Sequence, residues 1–158
     1  MPSYKQMLDL TNAMTGVTVN SLLNMGLNIP LIWNEFANSF NSDGVKGLLD
    51  STGLKIEGTD VKSIAESFTK RIKEVGFCQR ANLLEVSDNE VVIDLGECVL
   101  APITKVIRGT DLDKIPPCPF MALLYGSIEK NTGKKGFIES AKWKPEENTT
   151  IFKLKLEG

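Results

Sequence analysis

Residues 81–95, ANLLEVSDNEVVIDL, decide the fold. Ala81 to Val86 and Glu90 to Leu95 are strand-prone runs on either side of Ser87-Asp88-Asn89, a polar cluster suited to a tight turn. Val91, Ile93 and Leu95 alternate along the second run, the mark of a strand with one buried face. The stretch predicts an antiparallel hairpin whose apolar side must be covered by something else in the chain.

The neighbours on both sides supply that cover. Upstream, Asp60 is a good N-cap, and Val61, Ile64, Phe68, Ile72 and Val75 fall on one helical face before Gly76 ends the run. Downstream, Pro116-Pro117 leads into a helix beginning at Cys118 or Pro119, since proline favours the first helical position. That helix continues through Phe120, Leu123, Leu124 and Ile128 to a stop near Gly133. A second hairpin comes next, with strands near Gly136 to Lys144 and Thr149 to Leu156 around Pro145-Glu146-Glu147-Asn148. Phe152, Leu154 and Leu156 alternate with Lys153 and Lys155, so one side is dry and one wet. The expected fold is α+β: an antiparallel four-stranded sheet made of two hairpins, packed on a helical layer.

The chain reads as one domain over 1–158, with an N-terminal helical segment at 1–58 and a helix-hairpin-helix-hairpin core at 60–158. In the first part, Met7, Leu10, Met14, Val17 and Leu22 recur at mostly helical spacing, although Gly16 and the β-branched Thr15, Val17, Thr18 and Val19 weaken the helix. Pro30 interrupts the segment after Gly26, and Ile32, Trp33, Phe36 and Phe40 make a second short apolar face. Gly53 and Gly58 flank a linker-like stretch. The early methionines and aromatics suit a core or a dimer face, with a pocket lining as the alternative.

Composition narrows the function. A chain of 158 residues buries roughly two-thirds of its unfolded surface. With 42% hydrophobic and 24% charged residues it is an ordinary globular mixture, and a net charge of −2 creates no field for nucleic acid. The late lysines (Lys130, Lys134, Lys135, Lys142, Lys144, Lys153, Lys155) are interleaved with Glu139, Glu146, Glu147 and Glu157, the pattern of a solvated sheet face. No secretory signal or membrane-length apolar run is visible, so a cytoplasmic location and no membrane partner are expected. There are no histidines. That excludes Ser-His-Asp and Cys-His catalysis and any haem held by imidazole. No P-loop or dinucleotide fingerprint is present.

Three cysteines remain: Cys78, Cys98 and Cys118. If the first hairpin turns about Asp88, Leu83 faces Ile93, Ala81 faces Leu95 and Cys78 faces Cys98. Cys118 opens a helix, where the dipole favours thiolate. Three readings stay open: small buried hydrophobes, a metal site such as zinc, or a redox- or acylation-prone thiol with Cys118 as the favourite. Zinc would need a fourth ligand from Glu97 or Asp94, and Glu97 should point away from Cys98. Arg80, Asn82 and Asp94 share the polar side of the hairpin, most simply as a cross-strand ion pair. On the second helix Gly126 is costly unless a backbone or a ligand comes close.

Pro117-Cys118-Pro119-Phe120 together with Leu124-Tyr125-Gly126-Ser127-Ile128-Glu129 resembles the cysteine-led helix of the 4-vinyl reductase domain, over about residues 60–158. That family shares its fold with the small subunits of the TRAPP trafficking complex and, more distantly, with haem nitric-oxide sensors; the lack of histidine separates this chain from the sensors. The resemblance implies a module for small molecules or hydrocarbons, commonly dimeric, with a metal held by cysteines in several members and Cys118 at the family-like position. Where many members place two further cysteines in the last hairpin, this chain has Ala141 or Lys142 and Thr150.

The leading expectation is a dimeric module binding or sensing a small hydrophobic ligand, rather than an enzyme, with Cys118 and Gly126 at the ligand. The alternatives are a small metalloprotein or thiol enzyme using Cys78, Cys98 and Cys118, and a TRAPP-like assembly subunit.

Overall fold

A computed structural model describes residues 3–26, 35, 53–101 and 118–158 of the chain. The expectations placed on Pro30, on Ile32, Trp33, Phe36 and Phe40, and on Pro116-Pro117 fall outside these residues.

Asp60 caps its helix as its position in the sequence requires. Its carboxylate accepts from the Ser63 backbone N–H at 2.9 Å, and the Ser63 hydroxyl takes the reciprocal place against the cap backbone. This capping box starts α2, Val61–Glu74; the helix before it, α1, spans Tyr4–Asn24. Val61, Ile64, Phe68 and Ile72 are buried on one side of α2. Gly76, at φ +84°, then turns the chain through the left-handed region that glycine adopts without a Cβ clash.

The first hairpin is β1, Cys78–Ser87, and β2, Glu90–Cys98. Ser87 pairs with Glu90, so the turn is only Asp88-Asn89, one residue shorter than a pivot on Asp88. A bulge between Leu83 and Glu85 takes up the difference, leaving Leu84 unpaired and half exposed. Beyond the bulge the pairing is the one expected: Leu83 with Ile93, Ala81 with Leu95 and Cys78 with Cys98. The ladder runs past Gly96, further than the sequence pattern marks it.

Cys118 is the N-cap of α3, Pro119–Thr132, with Pro119 at the first helical position and Gly133 at φ +73° closing it. The second hairpin, β3 (Lys135–Lys144) and β4 (Thr149–Glu157), turns through a short 3-10 segment, Pro145–Glu147. Strand order is β1-β2-β4-β3, antiparallel throughout, so the hairpins join along β2 and β4. At Gly136 a Cβ would overlap the Lys155 carbonyl, which is why β3 and β4 can close there only around glycine.

Both helices cover one face of the sheet. Phe68, Ile64 and Ile72 of α2 and Met121, Leu124 and Ile128 of α3 meet Val91, Ile93, Phe152 and Leu154 in a single core. On the opposite face, Lys153 reaches Glu90 at 3.1 Å and Glu139 at 3.2 Å, and Lys155 also pairs with Glu90. These two late lysines of the sheet are therefore matched to neighbouring carboxylates. Arg80 likewise lies 3.8 Å from Asp94 and 3.0 Å from Glu147, the cross-strand ion pair the sequence suggested.

The first helix is where the structure departs most from expectation. Despite its β-branched residues α1 is continuous, and the hydroxyls of Thr11, Thr15, Thr18 and Ser21 each donate to the carbonyl four residues earlier. The face turned to the body holds Asn12, Gly16 and Val19, all buried. Met7 and Met14, expected in a core or at a dimer face, lie on the far side with Leu10 and Val17, and all four are exposed, Leu10 by 62% and Met14 by 63%. No described helix is long and apolar enough to cross a membrane.

Candidate functional site: a thiol-lined cleft at the end of the sheet

The ladder between β1 and β2 carries Cys78 and Cys98 to the end of the sheet nearest the start of α3. Cys78 is fully buried, whereas Cys98 and Cys118 are partly exposed. A partly open cleft of about 490 Å³, counting the space at its mouth, lies beside them. Cys98, Cys118, Leu95, Leu100, Trp143 and Phe152 form much of its wall. Its lining is mostly apolar, the character that small-ligand sites use. Gly126 is not part of that lining; it lies on the buried side of α3.

Two hydrogen bonds distinguish the sulfurs. The Cys78 thiol donates to Cys98, and the Leu100 backbone N–H donates to the Cys98 sulfur at 3.3 Å. Cys98 is thus an acceptor from two donors. Hydrogen bonding from Cys78 lowers its pKa below the ordinary thiol range, with Leu100 adding to the effect and burial opposing it. Cys78 moves the other way: donating to Cys98 raises its pKa, and burial and the nearby sulfurs raise it further.

Cys118 does not behave as its helix position suggests. Burial of the thiol pushes its pKa up to about 12, and the neighbouring Cys98 pushes in the same direction. The Phe120 and Met121 amides favour the thiolate, but desolvation outweighs them. Of the three sulfurs Cys98 is the one whose pKa is lowered, whereas the sequence favoured Cys118.

Among the described residues no three cysteine, histidine or carboxylate groups are placed to hold a metal ion. The zinc expectation for Cys78, Cys98 and Cys118 finds no such group among the described residues. Of the two fourth ligands considered, Glu97 is exposed and sits at φ +50°, its N–H donating to the Asn148 carbonyl at 3.2 Å, and Asp94 lies 3.8 Å from Arg80.

One residue the sequence reading missed connects this end of the sheet to α1. Asn12, buried, donates through Nδ2 to the carbonyl of Val99 at 2.8 Å, one residue beyond Cys98. Its signal in the sequence is faint: a polar residue four before Gly16 on the less apolar side of the helix.

No protein-family model matches the chain, and no curated protein matches it. Among solved structures it is similar to a trafficking protein particle complex subunit 3 from Naegleria fowleri, crystallised covalently bound to palmitic acid. The TM-score is 0.58 at 18% identity, over 98% of this chain and 97% of that one. The likeness lies on the TRAPP side of the resemblance drawn from the sequence, and it establishes for this chain the α+β fold of a TRAPP small subunit.

Proposed function

We propose that this chain is an assembly subunit of the TRAPP kind, and that it pairs with a second copy of itself through α1. The observation carrying this reading is the outer face of that helix. Tyr4, Met7, Leu10, Met14 and Val17 form an exposed apolar stripe, while a second face, with Asn12, Gly16 and Val19, already packs on the body. A helix that packs on the body by one face and leaves an apolar stripe on the other belongs between two bodies rather than at a surface. The hydroxyls that border the stripe, Thr11, Thr18 and Ser21, are satisfied by helix carbonyls. Burying the face therefore strands none of these three hydroxyls. The charged residues of α1, Lys5 and Asp9, pair with each other at 2.7 Å and stand off the stripe. An uncharged face needs no oppositely charged partner, which suits contact with an identical copy. The similar structure comes from a subunit of a multi-subunit particle, which supports the same reading.

Sedimentation velocity of the purified chain tests it. A dimer that becomes monomeric in Met14→Glu, with unchanged circular dichroism, is the expected result. A wild-type chain that stays monomeric at concentrations of tens of micromolar would rule the homodimer out.

The cleft favours a second, compatible role in holding an apolar molecule. Its wall combines Leu95, Leu100, Trp143 and Phe152 with the sulfur of Cys98. The similar trafficking subunit carries a palmitic acid, and a fatty acyl chain is the ligand class this wall suits best. Native mass spectrometry with added palmitic acid tests it: a bound adduct lost in Leu95→Glu supports the role, and no adduct contradicts it.

A further inference from the structure

We propose that Cys78 and Cys98 form a peroxide-sensitive dithiol that closes into a cross-strand disulfide at the lip of the cleft. The two residues are direct partners in the β1–β2 ladder. The Val99 N–H donates to the Phe77 carbonyl at 2.9 Å, so the hydrogen-bonded pair is Phe77 with Val99. Cys78 and Cys98 are then a non-hydrogen-bonded pair, whose Cα atoms stand about 4.5 Å apart with side chains on one face. That spacing falls inside the range of roughly 4.4–6.8 Å that a disulfide spans without moving the backbone. Both cysteines are free thiols in this structure, joined by the hydrogen bond from Cys78 to Cys98.

The arrangement gives the two sulfurs different tasks. Cys98 is partly exposed, opens onto the cleft and accepts the Leu100 N–H, so a small oxidant reaches it with its thiolate already supported. The Cys98 thiolate attacks one oxygen of hydrogen peroxide, the O–O bond breaks, and hydroxide leaves to take up a proton as water. Cys98 is then a sulfenic acid, oxidised by two electrons, and the peroxide is reduced. Cys78 lies against it, buried from solvent. Its sulfur attacks the Cys98 sulfur, the S–O bond breaks, the S–S bond forms, and the departing hydroxide carries off the Cys78 proton as a second water. Two thiols and one peroxide become one disulfide and two waters. Cys118 shares the cleft, and burial keeps its own thiol protonated. Closure removes the reactive sulfur from the cleft wall and ties the end of β2 to β1.

The test is oxidation of the full-length chain with hydrogen peroxide at neutral pH, then thiol counting under denaturing conditions and peptide mapping. The expected product has one remaining thiol, Cys118, and a Cys78–Cys98 linked peptide pair. Cys118→Ser should oxidise in the same way. Cys78→Ser should stop at a sulfenic acid on Cys98 that dimedone traps. Wild-type protein that runs on to sulfinic acid without a disulfide, or that links Cys98 to Cys118, would overturn the proposal, and the wild-type map decides it even if the Cys78 variant does not fold.

Discussion

Cys78 and Cys98 face each other across β1 and β2 as directly paired residues, and their interaction raises the pKa of Cys78 while lowering that of Cys98. The sulfur left as acceptor, Cys98, also receives the Leu100 N–H. Iodoacetamide at neutral pH should therefore label Cys98 ahead of both other cysteines, with Cys78 protected until the protein unfolds. Timed labelling with peptide mapping checks the order; Cys118 reacting first would mean the helix start outweighs burial.

Cys118 leads to a pH effect of definite sign. Its thiol is raised from the ordinary range to about 12 in the folded protein. Between the ordinary thiol pKa and that value, the unfolded chain has lost this proton while the folded chain keeps it. The contribution to stability is complete below the unfolded pKa and is lost as pH rises through that window. Denaturant melts of wild type and Cys118→Ala at increasing alkaline pH should show a shallower decline in the variant. Equal slopes would contradict the assignment.

The capping box at Asp60 should be separable from function. Asp60→Ala removes the carboxylate that accepts from Ser63 and should lower stability modestly, as loss of such caps does. Urea melts should show that loss with no change in oligomeric state. A Phe68→Ala variant, emptying a fully buried ring position between α2 and the sheet, should lose about 3–5 kcal/mol.

The sheet and its two helices were legible because each device is local. Asp60, Gly76, Pro119 and Gly133 mark helix ends by chemistry that does not depend on distant neighbours, and the alternation in β2 and β4 tells inside from outside. The bulge at Leu84 was not legible, since an apolar residue gives no sign that it will be the unpaired one. The orientation of α1 was hidden for a different reason. Its body-facing side uses Asn12 and Gly16 where an apolar stripe would be expected, and the richer stripe faces away. At the cleft, the meeting of Cys78 with Cys98 came from pairing alone. Which sulfur is activated did not, because that depends on the Leu100 amide and on the depth of Cys118, neither of which a spacing argument contains.

Hydrogen–deuterium exchange across a dilution series tests the role of α1 most directly. If the helix lies between two copies, amides of Tyr4–Asn24 should exchange faster as the protein is diluted, while those of Val61–Glu74 in α2 keep a constant rate. Exchange in α1 that is fast and independent of concentration would contradict an interface on that helix.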